Sequence, residues 1–327
     1  MLYVPTFNAQ MTTDVIPLGT ASAMPTADRH LSALAVERKG RILLFDCGEG
    51  TQYRLLHADL SRARIDAIFV THLHGDHCYG LPGLLSTMAL QQRRDPVTLV
   101  VPTGTQAMLA AIPGANPADL PFSVEVREYG DELTEALVYE TDEVTVTARP
   151  LRHRRFAMGF RLAERTRPGR FDPERARELG VPEGPAFGRL QGGEPVTVED
   201  GTTVRPEQVL GPPRPGISLA YVTDTRPCDE GRALATDADL LYHDATFGNE
   251  LHDRAVETGH STAREAADVA REAGARRLLL GHLSARYDDA APLGAEARAV
   301  FERAAVAEEL RRYELDPRDK ESGAASS

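Results

Sequence analysis

The sequence is poor in features that mark several large classes of protein. Its three cysteines, Cys47, Cys78 and Cys228, include no C-x-x-C pair, which argues against a disulfide framework and favours free thiols in the cytoplasm. No apolar run approaches the roughly 18 residues of a membrane span, so we predict no membrane partner. Only two of the 37 basic residues are lysines, and the net charge of −12 argues against non-specific coating of nucleic acid.

Regular patterns of strands and helices are interrupted once, over residues 165–216. This segment is rich in proline and glycine and holds one short helical candidate, Pro173 to Leu179, which is typical of a functional excursion or a linker. A last helix is predicted from about Gly294 to Ala304. Met1 and Met11 are both candidate natural starts, and we expect the polar tail, residues 317–327, to be disordered.

The most informative stretch is Thr71-His-Leu-His-Gly-Asp-His-Cys-Tyr-Gly80. It follows a predicted buried strand, Asp66 to Val70, and precedes a predicted leucine-rich helix. Four side chains able to bind a divalent metal lie within six residues: His72, His74, Asp76 and His77. Their alternation suggests two metal ions. A polar turn with incidental histidines is the alternative, but three of the chain's ten histidines fall in these six residues.

Two ions would need further ligands from elsewhere in the chain. His153, Asp224 and His282 each follow a predicted strand, and the ends of such strands tend to converge on one rim. Each residue alone has an ordinary interpretation, as a surface histidine or as a turn-forming aspartate. Their equivalent positions make them joint candidates, with Asp224 as the natural bridging carboxylate.

Several motifs resemble those of the metallo-β-lactamase superfamily and, within it, the ribonuclease Z family. The motifs, in chain order, are Asp46-Cys-Gly-Glu-Gly-Thr-Gln52, Thr71 to His77, Tyr79-Gly-Leu-Pro-Gly-Leu84, Thr223-Asp-Thr-Arg-Pro227, His243-Asp-Ala-Thr-Phe247, His260-Ser-Thr262 and Gly281-His-Leu-Ser-Ala-Arg-Tyr287. The resemblance implies an α/β protein, an αββα sandwich with the metal site along one edge, formed by a single domain over residues 12–316. It also implies a homodimer.

The resemblance further implies two zinc ions per subunit, with manganese as a possible substitute. It places His72, His74 and His153 on one ion. It places Asp76, His77 and His282 on the other, with Asp224 bridging the two. These are the residues already selected from the sequence.

Two metals about 3.5–4 Å apart suit in-line displacement at phosphorus. The resemblance implies hydrolysis of precursor tRNA that leaves a 3′-hydroxyl on the tRNA and a 5′-phosphate on the trailer. Asp76 is a candidate general base, and His260 is the candidate donor of a proton to the leaving oxygen. In the family a glutamate orients that histidine. This chain has Asp244 there, one methylene shorter, which puts the reach of the pair in question.

The family carries a protruding flexible arm with a Gly-Pro tip that clamps tRNA, and residues 165–216 resemble it. From Arg149 to Arg189 there are 11 arginines against 5 acidic residues, a balance that favours phosphate contacts. The candidate substrate contacts are Arg165, Arg167, Arg170, Gly184, Pro185 and Arg189.

Two other functions compete with this interpretation. A dinuclear zinc enzyme of the same fold could act on small phosphodiesters or sulfate esters, but such an enzyme needs no arm. A tRNA-binding protein without catalysis would not need a complete set of seven ligands.

Overall fold

The computed structural model describes residues 12–316. They fall into two compact units: one contains the chain up to Ala163 together with Ile217–Asp316, and the other contains Glu164–Gly216. Both candidate starts, Met1 and Met11, and the predicted disordered tail lie outside the described residues.

The first unit contains sixteen of the strands formed by residues 12–316, and the second unit contains β11 and β12. The strands are β1 (Thr13–Gly19), β2 (Ala21–Ser22), β3 (Ala33–Arg38), β4 (Arg41–Phe45), β5 (Ile65–Phe69), β6 (Val97–Pro102), β7 (Val124–Tyr129), β8 (Ala136–Glu140), β9 (Val144–Pro150), β10 (Met158–Glu164), β11 (Val196–Thr197), β12 (Thr203–Val204), β13 (Ser218–Val222), β14 (Leu240–Asp244), β15 (Leu278–Gly281), β16 (Leu283–Ser284), β17 (Ala304–Val306) and β18 (Tyr313–Leu315).

The helices of the same residues are mostly short. They are α1 (Thr51–His57), α2 (Gly75–Cys78), α3 (Leu81–Leu90), α4 (Thr105–Ala110), α5 (Pro173–Glu178), α6 (Pro185–Gln191), α7 (Asp229–Ala235), α8 (His252–Thr258), α9 (Ala263–Glu272) and α10 (Ala291–Arg298). Four short 3₁₀ turns lie at residues 62–64, 117–119, 206–208 and 249–251.

Two seven-stranded sheets form the centre of the first unit. Their strand orders are β18-β1-β3-β4-β5-β6-β7 and β17-β15-β14-β13-β10-β9-β8. Side chains alternate between the two faces of each strand. In β4, for example, Phe45 packs between the sheets against Phe69 and Phe160, while Leu44 packs in the apolar cluster that includes α3. Helices α7, α9 and α10 share an apolar cluster with the second sheet, so the predicted αββα sandwich is confirmed.

The site depends on parallel strands whose carboxyl ends share an edge. Strands β4, β5 and β6 run parallel in the first sheet, and β13, β14 and β15 run parallel in the second. At two places near these strand ends, segments of the chain approach so closely that only glycine fits. A side chain at Gly80 would collide with the Gly48 carbonyl, and one at Gly281 would collide with the Tyr242 ring.

The second unit has a small apolar core of its own. Phe171 and Phe187 have ring centroids 4.9 Å apart, and β11 pairs with β12. Buried apolar side chains complete this core: Ala176, Val181, Leu190, Val196, Val198, Val204 and Val209. The single predicted helix corresponds to α5, whereas α6 and the β11–β12 hairpin were not predicted.

Candidate metal centre

Three histidines and an aspartate form a first ligand group. His72 and His74 follow β5, and the β9–β10 loop supplies His153. His72 Nε2 lies 2.8 Å from His74 Nδ1, and the His153 ring centroid is 5.1 Å from that of His72. One nitrogen from each histidine and one oxygen of Asp224 all lie within 4.8 Å of one another.

A second ligand group, Asp76, His77 and His282, is equally compact. One ligand atom from each of these side chains also falls within 4.8 Å of the others. His77 Nε2 is 3.3 Å from His282 Nε2 and 3.4 Å from Asp76 Oδ2. The backbone N–H of Ala23 donates to Asp76 Oδ2 at 2.8 Å and fixes that carboxylate.

Asp224 connects the two groups. Its Oδ2 lies 3.5 Å from His72 Nε2, while its Oδ1 lies 3.1 Å from His77 Nε2 and 3.0 Å from His282 Nε2. Because its two oxygens face different histidines, Asp224 has the geometry of a bridging carboxylate. The structure thus brings all seven predicted ligands to one edge of the sandwich.

The backbone is unusual at this edge. Asp46, Asp224 and His282 have φ values of 58°, 50° and 56°, in the left-handed region that costs energy for residues other than glycine. Such strain concentrates where function requires one fixed orientation of a side chain.

A layer of hydrogen bonds behind the ligands orients their rings. Asp46 Oδ2 accepts a bond from His77 Nδ1 at 2.7 Å and another from the Tyr221 hydroxyl at 2.9 Å. His282 Nδ1 lies 3.0 Å from Thr246 Oγ1, and His153 Nδ1 lies 3.0 Å from the Gly259 carbonyl. Bonds at Nδ1 leave Nε2 as the nitrogen that can bind an ion. Asp46 belongs to a motif visible in the sequence, but nothing there indicates its contact with His77.

The five candidate ligand histidines fall into two groups, one with lowered and one with raised pKa values. Burial lowers the pKa of His72, His74 and His153. Burial also opposes protonation of His77 and His282, but nearby carboxylates outweigh it. Asp224 and Asp46 hold the pKa of His77 well above its usual value, and Asp224 raises the pKa of His282 to about 10.

The residues present fit divalent metal ions. His153 Nε2 is buried and has no hydrogen-bond partner among the described residues, so its lone pair is available to coordinate an ion. Imidazole and carboxylate donors are those that zinc prefers.

Asp244 reaches His260 despite being shorter than the family glutamate. His260 Nδ1 lies 2.9 Å from Asp244 Oδ2, and Asp244 is fully buried. The carboxylate also accepts bonds from the Thr225 and Thr246 backbone N–H groups. Burial disfavours its charge, yet His260 outweighs this and lowers the pKa of Asp244. His260 also lies close to Asp224 and His282.

An open cleft of about 550 Å³ gives access to both ligand groups. It is lined by His74, Asp76, His153, Asp224, His260 and His282, and also by Glu49, Tyr79 and Arg154. The proton-donor candidate therefore shares one accessible space with the ligands.

The predicted contacts in residues 165–216 lie in the second compact unit. Gly184 and Pro185 are exposed at the start of α6, and Arg189 pairs with Glu194. Arg165, Arg167 and Arg170 also belong to this unit. The charge differs from the expected one: residues 164–216 contain 8 arginines and 9 acidic residues, a net charge of −1. The excess of arginine lies in residues 149–163, which have five arginines and no acidic residue.

No helix formed by residues 12–316 is long and apolar enough to cross a membrane. The αββα sandwich, with this His/Asp centre at one edge, is the metallo-β-lactamase fold. The chain is 76% identical over 312 residues to the ribonuclease Z of Salinibacter ruber, with 95% of this chain and 97% of the relative covered. It therefore belongs to the ribonuclease Z family, which confirms the predicted family and its class of hydrolytic endoribonuclease.

A second relative and a solved structure agree with this assignment, and two further similarities are less specific. The ribonuclease Z of Haloferax volcanii is 47% identical, with 95% of this chain and 97% of the relative covered. The crystal structure of human tRNase Z, short form, is 28% identical with a TM-score of 0.67, covering 92% of this chain and 98% of that one. The Bacillus subtilis protein YhfI, at 17% identity and a TM-score of 0.66, shows the fold, covering 94% and 100% of the two chains. A family model described as Anti-Pycsar protein Apyc1 matches residues 13–111, under a third of the chain.

Proposed function

We propose that this protein is a cytoplasmic, zinc-dependent endoribonuclease that removes 3′ trailers from precursor tRNA. It leaves a 3′-hydroxyl on the tRNA and a 5′-phosphate on the trailer. The observation that carries the proposal is the convergence of seven metal-capable side chains around Asp224, in a chain of the ribonuclease Z family.

The two ligand groups would each hold one divalent ion, zinc or in its place manganese. Such ions supply Lewis-acid activation of the phosphodiester and of the attacking water. The protein contributes rigid placement, because Asp46, Thr246 and the Gly259 carbonyl fix the rings of His77, His282 and His153.

Asp76 would act as the general base toward the attacking water. Burial disfavours its charge, but His77 and His282 outweigh burial and hold the pKa of Asp76 far below its usual value. It is therefore a carboxylate throughout the neutral range, and it lines the cleft where substrate would bind.

His260 would donate the proton to the leaving 3′-oxygen. Asp244 holds its Nδ1, so Nε2 is the nitrogen left for the substrate. The fully buried Asp244 carboxylate thereby fixes the orientation of the His260 ring.

The partner would be precursor tRNA, held by the arm formed by residues 165–216. The exposed Gly184-Pro185 turn and the compact core behind it support this role. A homodimer would use the apolar surface of α1 and α3, where Tyr53, Leu56 and Leu90 are exposed.

A cleavage assay on a 3′-extended precursor tRNA tests the proposal, with zinc or manganese present. We expect a cut next to the discriminator base, and chemical mapping of both new ends should find the 3′-hydroxyl and the 5′-phosphate. His74→Ala should abolish cleavage, while His252→Ala, an exposed histidine of α8 that does not line the cleft, should not. An intact precursor after incubation with the metal-loaded protein would reject the proposal.

A further inference from the structure

A second cleft adjoins the metal centre on the side of His260. It has a volume of about 360 Å³ and is lined by Arg152, Arg154, Arg226, Val256 and Gly259, together with His153 and Glu257. His153 and Arg154 line both this cleft and the larger one above the ligands. A substrate lying over the metal centre can therefore extend directly into it.

The arginine-bearing loop is held in place from two sides. On one side the Arg152 N–H donates to Thr225 Oγ1 at 3.1 Å, and the Arg226 N–H donates to the Arg152 carbonyl at 2.9 Å. On the other side Arg154 Nε donates to the Glu257 carbonyl at the end of α8, at 3.1 Å. These hydrogen bonds fix the backbone that forms the wall of the second cleft.

Gly259 packs closely against the loop that carries His153. It has a φ of 79°, and a side chain there would lie 3.2 Å from His153 Nδ1. Glycine therefore lets the end of α8 approach the ligand loop, and it places the next residue, His260, beside the second cleft.

Two of the three arginines in the second cleft keep an unneutralised charge. Arg226 is paired with Glu265, at 2.7 Å from its Nη1, and the Glu257 carboxylate is paired with Arg254. Within residues 12–316, neither Arg152 nor Arg154 forms an ion pair. Arg154 uses only its Nε–H on the Glu257 carbonyl, so the donors on both its terminal nitrogens remain available.

We propose that Arg154, assisted by Arg152, binds the RNA phosphate immediately 5′ to the scissile one. The inference rests on the proposed function, in which His260 protonates the leaving 3′-oxygen. The RNA on the 5′ side of the cut begins at that oxygen, so it runs from His260 into the second cleft. Arginine suits this task because its planar fork donates two hydrogen bonds to one phosphate.

Arg154→Ala tests the contact, with Arg155→Ala as the matched control. Arg155 is exposed in the same loop and carries the same charge, but it lines neither cleft. Arg154→Ala should raise the KM for precursor tRNA about tenfold, the scale of one lost charge-assisted contact. Arg154→Lys should be intermediate, and Arg155→Ala should stay within about twofold of the wild type. Melting temperature and metal content establish that each variant is folded and loaded.

Chemically modified substrates locate the phosphate. A precursor with one neutral methylphosphonate immediately 5′ to the cut should lower the wild-type kcat/KM about tenfold, but lower that of Arg154→Ala less than about twofold. A methylphosphonate on the 3′ side should affect both enzymes equally. Equal KM values for Arg154→Ala and Arg155→Ala, or equal losses for both enzymes on the 5′-modified substrate, would overturn this inference and leave the proposed function intact. A wild-type enzyme that does not cut the unmodified precursor would overturn both.

Discussion

At the scale of single residues, Asp224 is the side chain on which both ligand groups depend. Its oxygens face His72 on one side and His77 with His282 on the other. Removing its charge would leave three buried histidines without the carboxylate that they share, in a setting where charge is poorly screened.

Asp224→Asn should therefore lower the metal content and reduce kcat for RNA cleavage by about 100-fold or more, the scale seen when support for a metal site is lost. Elemental analysis and the cleavage assay measure the two effects. The matched control is Asp229→Asn, at a highly exposed aspartate in α7. Full metal content and normal cleavage in Asp224→Asn would contradict its bridging role.

His260 should matter most when the leaving group needs a proton. A ribose 3′-oxygen is a strongly basic leaving group, whereas p-nitrophenolate leaves without protonation, and general acids contribute about 10²–10⁴-fold. We expect His260→Ala to reduce RNA cleavage by that order, with a much smaller loss on bis(p-nitrophenyl) phosphate.

Asp244→Asn should follow His260→Ala, with a milder loss, because it removes the charge that holds His260 Nδ1. Equal losses on both substrates would assign the pair to metal binding instead. His260 is close enough to Asp224 and His282 for that role.

The raised pKa values of His77 and His282 predict that metal binding is coupled to proton release. Neighbouring carboxylates overcome burial and raise the pKa of His282 to about 10, so the metal-free site carries protons at pH 7. A ligand histidine must be neutral, so metal affinity should rise with pH throughout the range below about 10, where His282 in the metal-free site loses its proton.

Calorimetric titration of the metal-free protein with zinc, in buffers of different ionisation heat, should detect release of about two protons at pH 7. A signal that is independent of the buffer would show that these histidines are already neutral. His57→Ala, remote from the ligands, should release the same number of protons as the wild type.

At the scale of elements, the sequence predicts short, strongly apolar strands well. Strand β5 is a short β-branched and aromatic run, and it was located to within a residue. The last predicted helix was wrong in its second half: α10 ends at Arg298, and Ala304–Val306 form β17. Alanine-rich segments favour helix locally, but pairing of Ala304 with Leu278 in β15 overrides that preference.

The seven ligand candidates could be found because chemistry and strand ends coincide in the sequence. The layer behind them could not, because Asp46 and Tyr221 meet only when the two sheets stack. The same limit applies to the second unit. The apolar residues around α6 have no helical period, and they share one core with Phe171 and Phe187, which are distant from each other in sequence.

The arm, residues 165–216, should be separable from the chemistry. It forms its own compact unit with its own core, and all seven ligand candidates lie in the other unit. Replacing the arm with a short Gly-Ser linker should abolish cleavage of precursor tRNA, while hydrolysis of bis(p-nitrophenyl) phosphate continues. Gly184→Ala with Pro185→Ala, a change at the exposed turn alone, serves as the milder comparison. Normal tRNA cleavage by the armless protein would remove the arm from substrate binding.

At the scale of the whole molecule, the net charge opposes RNA binding, whereas some local stretches favour it. A chain of net charge −12 repels RNA at long range, so binding depends on local features such as the acid-free stretch 149–163. The arm has 8 arginines and 8 acidic residues, so it adds shape and backbone contacts more than attraction, as is common in recognition of structured RNA.

The predicted homodimer can be tested at α1 and α3, because these helices expose apolar side chains on neighbouring surfaces. Gln52 of α1 accepts a hydrogen bond from Thr87 of α3 at 2.6 Å, so the two helices present one face. On it Leu56 is 56% exposed and Leu90 is 84% exposed, which is typical of a contact surface when such residues cluster. Leu56→Arg should convert a dimer of 35.6 kDa chains into monomers in sedimentation experiments.

Leu137→Arg is the matched control for that change, since Leu137 is 53% exposed but lies in β8. If one subunit's arm holds tRNA for its partner's site, the Leu56→Arg monomer should lose tRNA cleavage and keep hydrolysis of bis(p-nitrophenyl) phosphate. A dimer that survives Leu56→Arg would place the interface elsewhere. A monomer that still processes tRNA at the wild-type rate would show that each chain supplies both the arm and the metal centre for its own substrate.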